Sequence, residues 1–368
     1  MNKPNPQDFA YKKERLRAYM QQNGFDAAIL ARRDSFTWFT FGGDNKIFYN
    51  TDTGFGLLAV TMDAVYLIAQ VMDIDRIYDD ELYGLDIEKI GIRWYDPSRE
   101  DTALKLLSGK RIVSDIPLAG AECRFKEIVA LQTPYTPWEI ARYREVGRMC
   151  DAMLKDIADS VRPSMREQDI AGMILHEYAK VYSVPKVLLV GSDDRIAKYR
   201  HPNPSNKRVE RVVLLHPAAD IFGMHANITR MLCFGEPPKE LVQKYDLLNN
   251  ILAMTCAHLR PGARYDALLH ERRRMLKEAG MEQEYYNHYP GATTGYYFGS
   301  SQPIIDNEEI VDTQCFDWFL TVTGAKVEEL VMATPNGGEV LSAAGVWPLK
   351  RYVYGDFSVN LPALYIRE

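Results

Sequence analysis

The order of apolar and polar residues over the first third of the chain predicts a small α/β domain. Residues 11–23 carry apolar side chains at helical spacing and end at Gly24, a natural helix stop. Three short apolar runs bounded by turn residues predict buried strands at 27–30, 54–60 and 64–69. Because this pattern continues to about residue 130, we place a first domain at residues 1–132.

A second domain is predicted to begin where a Pro-rich linker leads into a long helix. Thr136 is a good N-cap, Pro137 suits the first helical turn, and Glu139 completes a capping box. Helical spacing then continues towards Val161. We therefore assign residues 133–368 to this second domain.

The second domain contains a faint internal repeat. Arg162-Pro163-Ser164 stands between two predicted helices, and Arg260-Pro261-Gly262 does the same about a hundred residues later. Each unit is followed by another helical pattern, over 169–181 and 265–279. Repeated helix–turn–helix units suggest two related halves, although an Arg-Pro-Gly triplet is also a common helix stop.

The segment from His201 to Gly235 carries the strongest pattern of the chain. It begins with a polar loop, His201-Pro202-Asn203-Pro204, and continues with a buried strand that leads to His216. A tight turn follows, and then a second predicted strand that ends in Ile228-Thr229-Arg230. Polar residues inside two such apolar strands are candidates for a functional site.

Composition narrows the classes of protein that need to be considered. The net charge is −6 and no dense basic run occurs, so neither a nucleic acid nor an anionic membrane is an expected partner. No apolar run is long enough to span a bilayer, and the polar start is not expected to be a secretory signal. Five widely spaced cysteines without a CxxC pair favour a reduced, cytoplasmic environment.

The order of these features resembles the creatinase/aminopeptidase P family, also called Xaa-Pro or pita-bread peptidases. The resemblance rests on the repeat, the His201–Gly235 segment and the stretch Gly324–Glu329, and it covers nearly the whole chain. It implies an α+β fold, with an N-terminal creatinase-like α/β domain followed by a C-terminal pita-bread domain. It also implies a homodimer.

Metal-dependent members of this family hold two divalent ions with two aspartates, one histidine and two glutamates. The resemblance puts His216 and Asn227 at the aspartate positions, eleven residues apart. Ala292 falls at the histidine, Phe319 at the first glutamate, with Asp317 as the nearest carboxylate, and the second glutamate is retained as Glu328. Two adjacent dications need several anionic ligands, so we expect no dinuclear metal site and no cofactor.

Creatinase shares this fold and works without metal, and it has a histidine in the loop that His201 resembles. The resemblance therefore implies a metal-independent hydrolase acting on a small amide, peptide-like or guanidino C–N bond, with a small molecule or short peptide as substrate. His201 would act as acid and base, since histidine titrates near neutral pH, and Glu328 would anchor the substrate. Four further residues are candidates for substrate binding: His216, Asn227, His288 and Arg230.

Several alternatives remain open from the sequence. The chain is expected to be either this hydrolase, a catalytically inactive protein that binds a ligand in the old cleft, or an Xaa-Pro metallopeptidase with a rebuilt site. A single metal held by His216, His225 and Glu328 is a further option on ligand type. Each polar residue also has a structural explanation: His201 an exposed loop position, His216 a core histidine, and Asn227 a hairpin hydrogen bond.

Overall fold

The computed structural model describes residues 4–297 and 299–368, which divide into two compact units. The first unit runs to Glu139 and also takes Phe222–Met224. The second unit consists of Ile140–Ile221 and His225–Glu368. The domain boundary between residues 132 and 133 stays a prediction.

The first unit is built on one six-stranded mixed sheet in the order β4-β3-β2-β1-β5-β6. Its strands are β1 Ala27–Arg32, β2 Thr53–Thr61, β3 Val65–Gln70, β4 Glu88–Ile92, β5 Ile112–Ser114 and β6 Glu122–Cys123. Its helices are α1 Pro6–Gln22, α2 Arg33–Phe39, α3 Ile74–Ile77, which continues as a π-helical turn over Tyr78–Leu82, α4 Arg99–Leu106 and α5 Phe125–Ala130. The first helix and the three strands predicted from the apolar pattern are all present.

Local capping signals mark where the predicted helices begin. The side chain of Asn5 accepts hydrogen bonds from the backbone N–H groups of Gln7 and Asp8 at the start of α1. At the next long helix, α6 (Pro137–Ser160), the N–H of Glu139 donates to Thr136 Oγ1 at 3.2 Å. The N–H of Thr136 donates in turn to Glu139 Oε2 at 2.8 Å. The predicted capping box is therefore confirmed.

The second unit contains two sheets and a hairpin. One sheet has the order β17-β10-β8-β7 with β9 paired to β8, the other has the order β11-β12-β13-β14, and β15 pairs with β16. The strands are β7 Val187–Ser192, β8 Val212–Ile221, β9 Met224–Asn227, β10 Arg230–Phe234, β11 Gly291–Thr294, β12 Cys315–Val322, β13 Ala325–Met332, β14 Glu339–Val340, β15 Leu349–Tyr354, β16 Phe357–Pro362 and β17 Tyr365–Arg367. The helices after α6 are α7 Glu167–Ala179, α8 Asp194–Lys198, α9 Lys239–His258, α10 Asp266–Glu278 and α11 Gln302–Ile305, with a 3₁₀ turn over Glu282–Tyr285.

The internal repeat is visible in the helices of this unit. The 24-residue α6 is followed by the 13-residue α7, and the 20-residue α9 is followed by the 13-residue α10. The turn between each pair has its third residue in the left-handed region, with φ 69° at Ser164 and φ 80° at Gly262. Glycine adopts this conformation without a steric penalty, whereas serine does so rarely. The shared backbone shape therefore supports the repeat better than the sequence match alone.

The segment after His201 differs from its prediction in one respect. The two-residue turn between β8 and β9 is present, with positive φ at Phe222 (54°) and Gly223 (78°). The strand after the turn ends at Asn227, however, so the prediction that it continues through Arg230 was wrong. Arg230 begins the separate strand β10, which pairs antiparallel with β8.

A helix-covered apolar core supports the sheet that carries Glu328. Buried side chains of α9, including Leu248 and Leu252, belong to the same cluster as Trp318 on β12 and Val327 on β13. All five cysteines carry thiols rather than disulfides. Within residues 4–297 and 299–368, no helix is both long and apolar enough to cross a membrane.

Candidate functional site

The two sheets of the second unit meet where Thr229 forms a β-bridge with Glu328. The backbone N–H of Thr229 donates to the carbonyl of Glu328 at 3.0 Å. Because side chains alternate along a strand, Thr229 and Glu328 lie on one face and their neighbours Arg230 and Glu329 lie on the other. The bridge is the centre of the candidate site.

His216, Thr229 and Glu328 form a buried hydrogen-bonded cluster on the first face. Nδ1 of His216 lies 2.8 Å from Thr229 Oγ1 and 3.0 Å from Glu328 Oε2. The Thr229 hydroxyl donates its one proton to the same Oε2 at 2.9 Å. The Nδ1 of His216 must therefore carry a proton and donate it to Thr229 Oγ1. The structure therefore brings two predicted site residues, His216 and Glu328, into direct contact.

Lys326 joins this cluster, although the sequence analysis did not single it out. Its Nζ lies 3.0 Å from Glu328 Oε2, and the residue is only 3% exposed. Lys326 precedes Glu328 by two positions on β13, so strand alternation puts both side chains on the same face. The signal that would have found it is a lysine two residues before a retained glutamate in an otherwise apolar strand.

The charges of this cluster set its protonation. Burial by itself would raise the pKa of Glu328, but Lys326 and His216 overcome this and hold that pKa well below its ordinary value. Burial and the nearby Lys326 ammonium lower the pKa of His216. At neutral pH the Glu328 carboxylate is thus ionised and the His216 imidazole is neutral.

A second polar group lies around His225. Its Nδ1 is 2.8 Å from Asp220 Oδ1, and its Nε2 is 3.9 Å from Asp317 Oδ2. Lys186 Nζ lies 2.6 Å from Asp220 Oδ2. Burial would raise the pKa of Asp220, but His225 and Lys186 lower it to about 2. His225 is thus paired with Asp220, whereas His216 contacts Thr229 and Glu328.

The remaining positions carried over from the family lie on the neighbouring strands. Ala292 pairs with Asp317 across β11 and β12, and Phe319 pairs with Glu328 across β12 and β13. The backbone N–H of Asn227 donates to Asp317 Oδ1 at 3.3 Å. Among the residues that the structure describes, the side-chain oxygen of Asn227 has no hydrogen-bond partner. Burial, and next the charge of Glu328, raise the pKa of Asp317 well above its ordinary value.

His201 and His288 face each other from two separate loops. Their Nε2 atoms are 3.4 Å apart and their ring centroids 5.4 Å apart. Nδ1 of His288 lies 3.0 Å from the carbonyl of Tyr289, and its ring contacts Phe319 edge to face at 5.9 Å. Since a carbonyl can only accept, Nδ1 of His288 carries the proton when the ring is neutral.

Both of these imidazoles are held neutral at pH 7. Partial burial and the Lys326 ammonium lower the pKa of His201, partly opposed by Glu328. Burial lowers the pKa of His288 to about 4. The charges of Lys326 and Glu328 thus act on His216 and also on the pair of His201 and His288. Four of the six predicted site residues are therefore coupled electrostatically: His201, His216, His288 and Glu328.

Arg230, predicted to bind substrate, has a different environment. Its guanidinium is fully buried on the opposite face, where it donates to Glu329 Oε1 at 2.5 Å and to Asp151 Oδ1 at 3.2 Å. It also donates to the carbonyls of Thr229 at 3.0 Å and Ser342 at 2.7 Å. The structure does not bring Arg230 to the cluster around Glu328, because strand alternation turns it away.

The residues on the cluster face do not suit a pair of divalent metals. Alanine and phenylalanine offer no donor at two of the five positions, and the ammonium of Lys326 repels a dication at the retained Glu328. Within residues 4–297 and 299–368, no group of three or more His, Cys, Asp or Glu side chains is arranged to hold a metal ion.

Comparison with known proteins assigns the chain to a family. The sequence profile of metallopeptidase family M24 matches residues 141–331, which is more than half of the chain. The chain belongs to metallopeptidase family M24. The expected pita-bread fold and the family resemblance are thereby confirmed.

The relatives of this M24 protein are distant in sequence. The "Probable dipeptidase PepE" of Mycobacterium tuberculosis is 24% identical over 209 residues. That match spans only 54% of this chain and 56% of the relative.

Solved structures match over nearly the full length. The Xaa-Pro dipeptidase from Bacillus anthracis has a TM-score of 0.75 at 17% identity and covers 98% of this chain and 100% of its own. The N-terminal domain of FACT complex subunit SPT16 from Cicer arietinum has a TM-score of 0.65 at 11% identity and covers 93% and 98%. At these identities the likeness shows the fold alone.

Proposed function

We propose that this M24 protein is a metal-independent hydrolase that cleaves a small amide, peptide-like or guanidino C–N bond. The observation that carries the proposal is the Lys326 ammonium, 3.0 Å from Glu328, at the position of a retained family ligand. A fixed ammonium supplies positive charge where metal-dependent members of the family hold metal ions. Such a charge stabilises the oxyanion that forms when water attacks a carbonyl.

His201 is the acid and base in this proposal. Its Nε2–H is aimed at the Nε2 lone pair of His288, which leaves Nδ1 of His201 to accept a proton from water. The resulting hydroxide adds to the carbonyl carbon, and the C–N bond breaks as His201 returns the proton to the leaving nitrogen. Glu328 anchors the substrate in this proposal, and substrate contacts also come from His216, Asn227 and His288. A contact from Arg230 would require that buried side chain to move.

The test compares turnover with and without a chelator on dipeptides with and without proline, simple amides and creatine. We expect turnover of at least one class to persist in EDTA, and His201→Ala to lower kcat by roughly 10²-fold or more. His176→Ala, on the exposed side of α7, is the matched control and should leave kcat unchanged. Turnover that vanishes in EDTA and returns with Mn²⁺, Co²⁺ or Zn²⁺ would instead establish a metallopeptidase with a rebuilt site.

A second candidate is a protein that binds a ligand in this cleft without turning it over. It is supported by Phe319, which pairs with Glu328 in place of a second carboxylate, and by the crowding of three partners on Glu328 Oε2. The N-terminal domain of a FACT complex subunit has a similar fold, so the fold does not fix the activity. Calorimetry that detects dipeptide binding, with no product after prolonged incubation, would favour this candidate.

We also propose that the protein is a cytoplasmic homodimer that binds neither nucleic acid nor membranes. The dimer follows from the family resemblance, and the reduced compartment from five cysteines that carry thiols rather than disulfides. Light scattering after size-exclusion chromatography measures the mass of the assembly and so tests the homodimer. A mass near that of one 42.1 kDa chain would contradict it.

A further inference from the structure

The contact between His201 and His288 depends on how two distant loops are anchored. The two residues are 87 positions apart in sequence, and His201 is exposed. Their Nε2 atoms lie 3.4 Å apart, beyond the roughly 2.7–3.2 Å usual for a strong hydrogen bond. Such a contact does not hold itself in place, so neighbouring residues must set the distance.

Glu284 contacts the chain next to each histidine. Arg200, directly before His201, donates through its guanidinium to Glu284 Oε2. Glu284 lies in the 3₁₀ turn four residues before His288. The side chains of Arg200 and Glu284 are 23% and 14% exposed, so the pair is largely shielded from solvent. An ion pair of this kind is stronger and better ordered than one on an open surface.

The same carboxylate also holds the hairpin that carries Lys326 and Glu328. Glu284 Oε1 accepts the backbone N–H of Thr323 at 2.9 Å, in the turn between β12 and β13. Arg200 Nη2 also lies 3.4 Å from Thr323 Oγ1, so Arg200, Glu284 and Thr323 all contact one another. Asn287 Nδ2 adds a further hydrogen bond to Glu284 Oε2 at 3.3 Å.

We propose that Glu284, acting through Arg200 and Thr323, is the positioning residue that sets His201 against His288 above the Lys326–Glu328 hairpin. Glu284 bonds to Arg200, Thr323 and Asn287, and in this proposal it performs no chemistry. Its role in catalysis rests on the proposed function. The positioning itself can be measured without any turnover.

The titration of His288 reports on this positioning. The charged and titratable groups that act on it are Lys326, Glu328 and His201, together with the carbonyl of Tyr289. Burial is the main reason that its pKa falls to about 4, so loss of the packed arrangement should let it rise. Burial would raise the pKa of Glu284, but bonds from Thr323, Arg200 and Asn287 lower it to about 2, so it stays ionised throughout the titration.

The experiment compares Glu284→Gln with Glu282→Gln by NMR titration of histidine ring carbons in the full-length protein. Glutamine at 284 puts an amide donor against the Arg200 guanidinium and removes the charge. Glu282 lies in the same 3₁₀ turn but pairs with Arg273 on α10, so it is the matched control. We expect the His288 pKa to rise from about 4 towards 6.5 in Glu284→Gln and to stay near 4 in Glu282→Gln.

The outcomes separate positioning from activity. Unchanged His201 and His288 titrations in a folded Glu284→Gln protein would overturn the inference. Should that variant not fold, Arg200→Met tests the same contact from the other side and must give the same rise. If the wild type turns over a substrate, Glu284→Gln should lower kcat at least about tenfold with KM little changed. If the titration shifts but no protein has turnover, the positioning stands and the proposed function fails.

Discussion

The two faces of the Thr229–Glu328 bridge use neighbouring residues of the same strands in opposite ways. On one face, Arg230 bonds to Glu329 and Asp151, and Asp151 Oδ2 accepts the backbone N–H groups of Val346 and Trp347 at 3.1 and 3.2 Å. The guanidinium thus donates to two carboxylates and two carbonyls, while its Nε has no hydrogen-bond partner among the described residues. This face supports the fold.

The other face contains the same types of charge with fewer contacts. Lys326 is ion-paired with Glu328 alone among the described residues, and the side-chain oxygen of Asn227 lacks a partner there. A buried polar group without a full set of partners costs free energy, which a bound ligand can recover. One residue step along a strand thus separates a network that supports the fold from a cluster in which Lys326 has a single ion-pair partner among the described residues.

The largest effect is expected at the structural face. Arg230→Met leaves the carboxylates of Asp151 and Glu329 buried without their cation, so we expect a loss of about 3–5 kcal/mol in the free energy of unfolding. Urea denaturation followed by circular dichroism measures it. A loss below about 1 kcal/mol would mean that the Arg230 network does not support the fold as described.

Glu328→Gln should have the next largest effect, and one that depends on pH. The folded-state pKa of Glu328 lies below its ordinary value of 4.5, so its carboxylate stabilises the folded protein above that pH. This contribution is lost as the pH falls below 4.5. We expect a deficit of about 3 kcal/mol for the variant at pH 7 that shrinks between pH 5 and pH 3. A deficit independent of pH would contradict the ion pair with Lys326.

Lys326→Met should cost less, because Glu328 keeps its bonds to Thr229 and His216. We expect a loss of about 1.5–3 kcal/mol at pH 7. The pKa of His216 should also rise, since the lysine charge lowers it. Urea denaturation measures the loss of stability, and NMR of the histidine rings measures the pKa of His216. An unchanged His216 pKa would contradict the effect of the lysine charge on this imidazole.

The smallest effect sharpens the contrast between the faces. Ser342 Oγ donates to Glu329 Oε2 at 2.5 Å and accepts the N–H of Leu330 at 3.0 Å, within the structural network. Ser342→Ala should cost about 1 kcal/mol in unfolding free energy and leave ligand binding or turnover unaltered. A change in binding or rate without a change in stability would show that the two faces are coupled.

Much of the local structure was predictable from the sequence. The start of α6 was predictable from Thr136, Pro137 and Glu139, because a capping box forms within a few residues. Short apolar runs likewise predicted strands, because they too depend on neighbouring residues only. The family resemblance put Phe319 at the position of the first glutamate, and the structure pairs it with Glu328 across β12 and β13. The error at Arg230 also has a local cause, since nothing between Asn227 and Arg230 signals that one strand ends and another begins.

The sequence by itself determined the family and much of the local secondary structure, because both depend on residue type and short spacing. Only the tertiary structure decided which side chains meet. Thr229 and Glu328 are 99 positions apart, and His201 and His288 are 87 apart. Their contacts depend on how sheets and loops pack, and no periodicity encodes that. Strand alternation set the face on which Lys326 and Arg230 each lie, but packing decided which residues each face meets.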